Sequence, residues 1–389
     1  MTTKHQKHAK LTRPNYGQFA RNEWAIIGTP CGNIQQLAYQ LVDLLSKEYK
    51  VSYVDADHKS ADGEDIEETK TAMAFGAHLE YTDKITHHRF DTKAPLNSFQ
   101  FRQYFNEEDI VLVNGNHFKA KKQIVVIDPK KEKSLQKKLD RLTDVRLILM
   151  AKEAISIPIY LKEHLEDIDK IPTYSLEDLS SILQIIQVDL NEEIPMLNGL
   201  VLAGGKSQRM GQDKGLIAYH GQPQREYVAD LLASFCKETF ISFRQGQEKN
   251  GILKYPIIED RFQGLGPFGA IGSAFLHQPN HAWLVVACDL PLLDQATLKY
   301  LVNNRQASNI ATAYNSPVNE FPEPLIAIWE PKSYPVLLQF LAQGYSCPRK
   351  VLINSEVHLL DAPEGHKLMN VNHPEELEQV KKELGNKAI

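Results

Sequence analysis

No apolar run in this sequence approaches the ~20 residues needed to cross a bilayer; stretches such as Ile124–Ile127 and Trp283–Ala287 are strand-sized. Cysteine is scarce: Cys31, Cys236, Cys288 and Cys347 lie far apart, with no CxxC pair for zinc. That usage fits a reducing compartment rather than a disulfide scaffold. Positive charge is not in excess, with 44 Lys and Arg against 49 Asp and Glu. Neither half is strongly basic, which excludes a body built to hold duplex nucleic acid. The first residues, MTTKHQKHAK, lack the apolar core of a secretory signal, so a cytoplasmic location without membrane contact is expected. With 42% apolar and 24% charged residues, the chain is neither wholly disordered nor fibrous. Its 389 residues suggest two domains.

Residues 1–22 read as a basic, mobile arm: Lys4, Lys7, Lys10 and Arg13 precede the first acid, Glu23. Docking on a phosphate-bearing ligand or partner is the alternative. Apolar strands are then expected at Trp24–Gly28, Val51–Asp55, Ile110–Asn114, Ile124–Asp128 and Val145–Met150. Helices are expected at Asn33–Lys47, Ser134–Leu142 and Leu176–Gln187, the first with Ile34, Leu37, Ala38, Leu41, Val42 and Leu45 on one stripe. Strand–helix alternation implies a mostly parallel sheet covered on both faces. Two acids and Pro195 mark a boundary. A second alternation follows, with strands at Gly199–Leu202, Glu238–Phe243 and Trp283–Ala287. Its helices are Arg225–Cys236, Pro267–His277, Asp294–Asn304 with Asp294 as N-cap, Pro331–Gln343 and Pro374–Glu383.

Residues 198–215, NGLVLAGGKSQRMGQDKG, join a strand to Ala203-Gly204-Gly205, where absent side chains let backbone N–H groups approach a ligand. Lys206, Arg209 and Lys214 add three cations within nine residues, a match for a polyphosphate. The loop is neither a Walker A nor a GxGxxG sequence. Taken singly, the glycines could form a tight turn and the cations a solvated loop; Asp289 could cap a helix, and Asp260 could pair with Arg261 or Arg244.

The pattern LAGG-x-S-x-R-M-G-x-D-K resembles the signature of molybdenum cofactor guanylyltransferases. So do Tyr255–Asp260 (YPIIED), Gly266–Gly272 (GPFGAIG), Cys288–Pro291 (CDLP) and Asn370–Leu377 (NVNHPEEL), in that order over residues 197–389. The resemblance implies a Rossmann-like nucleotidyltransferase domain of the nucleotide-diphospho-sugar transferase kind. It implies GTP binding by Leu202, Ala203, Gly204, Gly205, Lys206, Lys214 and Asp260, and Mg²⁺ on Asp289. Lys214 and Arg209 would neutralise the triphosphate; Gly266, Gly269, Asn370 and Asn372 are further candidates, although Asn372 with Glu375 also fits a capping box. The implied reaction moves GMP from GTP to Mo-molybdopterin, releasing pyrophosphate, with molybdoenzyme apoproteins and insertion chaperones as further partners. One carboxylate at a strand end suits Mg²⁺, which takes hard oxygen ligands and keeps waters. Where the family often has Asn after the strand Thr239–Phe243, this chain has Ser242 and Arg244. Cytidylyl transfer to the same pterin, and a non-catalytic cofactor-handling scaffold, are the alternatives.

Trp24–Gln36, WAIIGTPCGNIQQ, has the strand–loop–helix layout of a P-loop, with Gly28 and Gly32, but Asn33 and Ile34 stand where Lys and Ser/Thr belong. With Lys50–Asp62, Glu108–Lys122 and Ile124–Pro129, it resembles the small GTP-binding adapter of molybdopterin dinucleotide synthesis. The expected organisation is therefore two three-layer α/β domains, a degenerate P-loop-like domain at 23–190 and the transferase at 197–389. A metal site among His58, His78, His87, His88 and His117 has no support from spacing. The ten basic residues between Lys119 and Arg146 form either a solvated helix face or a docking surface for an anionic cofactor.

Overall fold

A computed structural model describes residues 16–57, 71–204, 213–247, 253–371 and, beyond these, 376, 378, 380, 382 and 384. The chain divides into two compact units, one covering Tyr16–Glu192 and the other containing Glu193–Ile389. Among the described residues, no helix is long and apolar enough to cross a membrane.

In the first unit the strands are β1 (Glu23–Ile27), β2 (Val51–Val54), β3 (Leu79–Asp83), β4 (His88–Thr92), β5 (Ile110–Asn114), β6 (Lys122–Ile127), β7 (Val145–Met150) and β8 (Thr173–Ser175). The helices are α1 (Cys31–Leu45), α2 (Ser98–Tyr104), α3 (Glu132–Gln136), α4 (Ile159–His164) and α5 (Leu179–Glu192). Six strands form one sheet in the order β2-β5-β1-β6-β7-β8, every pair parallel. Trp24 and Ile26 of β1 pack with the buried stripe of α1, whereas Ile27 joins a separate cluster with Val125 and Ile148. Alternate residues of a strand feed opposite faces, as a sheet covered on both sides requires.

Several expectations need correction. Residues 16–22 are not all arm: Phe19 and Ala20 are buried, and the backbone N–H groups of Gln18, Phe19 and Ala20 donate to the Glu23 carboxylate. Residues 1–15 lie outside the described residues. The helix expected over Ser134–Leu142 splits into α3 and a 3₁₀ turn at Leu139–Arg141, since Leu135 alone in α3 is buried. The last helix of the unit starts later and ends later than its pattern suggested. Asp178 accepts from Ser181 N–H and so delays the start, while Asp189, buried near the far end, is clamped by Lys122 and Arg146. The basic stretch Lys119–Arg146 is therefore no single helix face: Lys122 is buried in β6, and Lys119 and Lys130 pair with Asp140 and Glu153. The β3–β4 hairpin, two antiparallel strands, was not anticipated. Among the described residues no cluster of three or more His, Cys, Asp or Glu could hold a metal, and His58 lies outside them.

The second unit contains β9 (Leu197–Leu202), α6 (Gln224–Ala233), β10 (Thr239–Phe243), β11 (Ile257–Glu259), α7 (Pro267–His277), β12 (Ala282–Ala287), α8 (Gln295–Asn303) and β13 (Ala311–Asn315). It continues with β14 (Pro322–Trp329), α9 (Ser333–Ala342), α10 (Pro348–Ile353) and β15 (Val357–Leu360). The sheet order is β11-β10-β9-β12-β14-β13-β15. The β11–β12 portion is parallel, whereas β14 runs antiparallel to both β12 and β13. Leu284 and Val286 face one core and Trp283 and Val285 the other. Gly199 is forced within β9, because a Cβ there would stand 3.1 Å from Leu232 Cβ and from Thr239 Oγ1. Asp294 accepts from Thr297 N–H at 3.0 Å and caps α8 as anticipated.

The chain leaves β9 for β10 and β11 on one side, then crosses to β12 on the other. That reversal opens a crevice at the carboxyl ends of β9, β10 and β12, where open parallel sheets receive ligands.

Candidate active site

A cleft of about 930 Å³ occupies this crevice, within the range of small-molecule sites. Among its lining residues are Leu202, Ala203, Gly204, Lys214, Asp260 and Asp289, together with Gly266. Residues separated by some 85 positions in sequence thus converge because each ends or follows a strand of the parallel portion. Gly205, Lys206, Arg209 and Asn372 lie outside the described residues. Asn370 is exposed and is not among the residues that line the cleft; its neighbour Val371 is buried and donates its N–H to Asp289 O at 2.9 Å.

The loop after β9 is fastened on both sides. Asp213 Oδ1 accepts from Gly215 N–H at 2.9 Å and starts a 3₁₀ turn that presents Lys214. Gln247 Nε2 donates to Ala203 O at 3.0 Å and to Asp213 Oδ2 at 3.4 Å, while Gln247 Oε1 accepts from Arg244 N–H. Lys214 Nζ lies 3.4 Å from Asp289 Oδ2. Asp289 lies two residues past the end of β12, and its Oδ1 is buried with no hydrogen-bond partner among the described residues. Burial raises its pKa above the usual carboxylate value, with Lys214 pulling the other way. Burial likewise pushes the Cys288 thiol up to about 12, helped by Asp289 and Asp213, and the Tyr219 phenol up to about 12, helped by Asp289.

Asp260 is held differently. Its Oδ1 accepts from Phe262 N–H at 2.9 Å and from Ser273 Oγ at 3.1 Å, not from Arg261 or Arg244. Burial raises its pKa against both hydrogen bonds. Gly269 backs this carboxylate: a Cβ would stand 2.3 Å from Phe262 O and 2.9 Å from both Asp260 oxygens. Gly266, at φ +57°, turns the chain into α7. Gly269 therefore serves the site without lining it.

Sequence reasoning missed Gln245, Gln247 and Gln263. The two glutamines Gln245 and Gln263 line the cleft and hydrogen bond to each other. Amides in polar turns carry no period or spacing, so nothing in the sequence marked them.

The arrangement has the chemistry of polyanion transfer. It offers a cation, a half-buried carboxylate with one oxygen unpaired among the described residues, and glycines that open backbone to the ligand. The family model described as the MobA-like NTP transferase domain matches residues 199–358. A molybdenum cofactor biosynthesis bifunctional protein of Synechocystis is 35% identical over 185 residues, which are 47% of this chain and 53% of that protein. The chain thus spans about half the length of that relative. A molybdenum cofactor guanylyltransferase of Pseudomonas entomophila is 30% identical over 191 residues, 48% of this chain and 98% of the relative. Among solved structures, molybdopterin-guanine dinucleotide biosynthesis protein A of Archaeoglobus fulgidus aligns with a TM-score of 0.43 at 22% identity, covering 49% of this chain and 99% of that one. The chain belongs to the molybdenum cofactor guanylyltransferase family of nucleotidyltransferases, and the matched residues 199–358 fall in the unit that begins at Glu193.

Proposed function

We propose that the second unit transfers GMP from GTP to Mo-molybdopterin, giving molybdopterin guanine dinucleotide and pyrophosphate. The observation that carries this reading is the Lys214–Asp289 pair at the carboxyl ends of the parallel strands, with Asp289 Oδ1 buried and without a hydrogen-bond partner among the described residues. An orphaned buried carboxylate oxygen is costly and fits a hard cation as ligand. Asp289 would hold Mg²⁺; bound there, Mg²⁺ supplies charge neutralisation for the triphosphate. Lys214, already facing the cleft, donates to the phosphate oxygens on which charge develops during in-line displacement. Backbone at Leu202, Ala203 and Gly204 lies beside the nucleotide, and Asp260, anchored by Ser273, orients it. Lys206 and Arg209 belong to the same loop and add cations to it. A phosphate nucleophile is already ionised, so no general base is required.

In the first unit Thr29 Oγ1 donates to Asp128 Oδ2 at 2.6 Å, so the hydroxyl nearest the degenerate P-loop is committed within the protein. That supports a positioning role for residues 23–190 without GTP hydrolysis. Delivery to apoproteins or insertion chaperones in the cytoplasm follows from the same reading.

Pyrophosphate release should be measured for the full chain with each nucleoside triphosphate and Mg²⁺, with and without molybdopterin. Release with GTP only when the acceptor is present supports the reading. Preference for CTP makes the chain a cytidylyltransferase, and no release with any triphosphate makes it a scaffold.

A further inference from the structure

The first unit holds a thiol–imidazole pair that the nucleotidyl-transfer reading does not use. Cys31 is the first residue of α1, a 15-residue helix whose N-cap, Pro30, contributes no side-chain cap. Its Sγ lies 3.4 Å from His117 Nε2 and 3.6 Å from Asn116 Nδ2, both on the turn that follows β5. The three residues meet because β1 and β5 are adjacent parallel strands that end at the same sheet edge. Cys31 is partly exposed, and beside it Gly32 opens to empty space, with nothing within 4 Å of a Cβ built there. Lys138 Nζ donates to Asn116 O at 3.1 Å and so holds the turn that carries Asn116 and His117. A thiol at a helix N-terminus, paired with an imidazole, is the favoured setting for a nucleophilic cysteine.

We propose that Cys31 and His117 form a nucleophilic thiol site that takes low-molecular-weight disulfides, capturing one half as a mixed disulfide. The Cys31 proton passes to His117 Nε2. Sγ then attacks one sulfur of the reagent: a new S–S bond forms, the reagent's own S–S bond breaks, and its electron pair leaves on the second sulfur. That sulfur takes the proton from His117 and departs as a thiol. Cys31 is oxidised, and the released half is reduced.

The other cysteines are internal references. Cys288 is buried and Cys236 largely so, and burial pushes both thiols up to about 12. Cys347 is exposed and also stands at a helix start, but among the described residues no histidine hydrogen bonds to it. The pairing and exposure therefore rank Cys31 above Cys347, whereas exposure alone ranks them the other way.

The test incubates the full chain at neutral pH with oxidised glutathione and follows adduct formation at each cysteine by peptide mass spectrometry. Cys31 should form the adduct first. His117→Gln should slow it about tenfold, because an unassisted thiol is only a few per cent ionised at pH 7. Cys31→Ser should remove that adduct and leave Cys347 unchanged. If Cys347 reacts as fast as Cys31, or if His117→Gln leaves the Cys31 rate unaltered, the proposal is overturned. If His117→Gln exposes Cys236 and Cys288, the variant has opened, and the ranking in the unaltered chain decides alone.

Discussion

Each unit carries a glycine-containing loop at the carboxyl end of a central parallel strand, and the two edges differ in what their polar groups do. At the first edge they satisfy one another. Thr29 donates to Asp128, Asn33 Nδ2 to Thr29 Oγ1, Asn114 to Asp55, and Asn116 Nδ2 to Thr29 O. At the second edge a cleft stays open, and among the described residues Asp289 keeps a buried oxygen without a partner. Folding alone favours the first arrangement, because an unsatisfied buried acceptor costs about 1–3 kcal/mol. A site that must receive a charged ligand retains that cost until the ligand arrives. The loop-and-helix layout, shared by both, does not distinguish an edge that can receive a polyanion from one whose polar groups are paired with each other.

The largest way to break this contrast is Asp289→Ala. It should lower Mg²⁺-dependent turnover about 10²–10³-fold with the circular dichroism spectrum unchanged, the scale of losing one preorganised charged group. Lys214→Ala comes next. It should weaken GTP binding and slow transfer together, about 10–100-fold, as expected for one charge-assisted hydrogen bond, with calorimetry as the measure. Equal GTP affinity in the variant would remove Lys214 from the site.

At the Thr29–Asp128 pair of the first edge the effects should fall on stability instead. Asp128→Ala leaves the Thr29 hydroxyl without its acceptor and should cost about 1–3 kcal/mol in urea unfolding while leaving GTP turnover intact. A loss of turnover in that variant would show that the first edge also serves the reaction. The smallest effect is expected at the α8 cap, where Asp294→Ala should cost about 1 kcal/mol. Burial opposes ionisation of Asp294, yet Lys367 and Thr297 outweigh it and hold its pKa below the ordinary value of 3.8. A depressed acid pKa stabilises above the unfolded value, so this contribution should disappear as pH falls from about 3.8 through the folded value.

How far the sequence could reveal these features depended on whether they were local. Strands β5 and β7, helix α7 and the Asp294 cap were legible to the residue, since each is written in a contiguous apolar period, a Pro at the first turn or a capping side chain. The antiparallel strands β13 and β14 were not, because their partners are chosen by tertiary pairing. Asp289 was legible as a strand-end carboxylate within CDLP. Its pairing with Lys214 was not legible, since 75 positions separate the two. Gln247, which ties Ala203 to Asp213, had no signal, because a glutamine in a polar turn looks the same whether or not it spans a loop.

On the proposed function, the edge that carries nucleotidyl transfer lies wholly in the second unit. This is tested most directly by measuring nucleotidyl transfer from GTP to molybdopterin by the fragment 193–389 beside the full chain. The account predicts comparable turnover by the fragment, lost on Asp289→Ala, and no GTP hydrolysis above background by the fragment 1–192. A fragment 193–389 that folds with a native circular dichroism spectrum yet transfers nothing would contradict it.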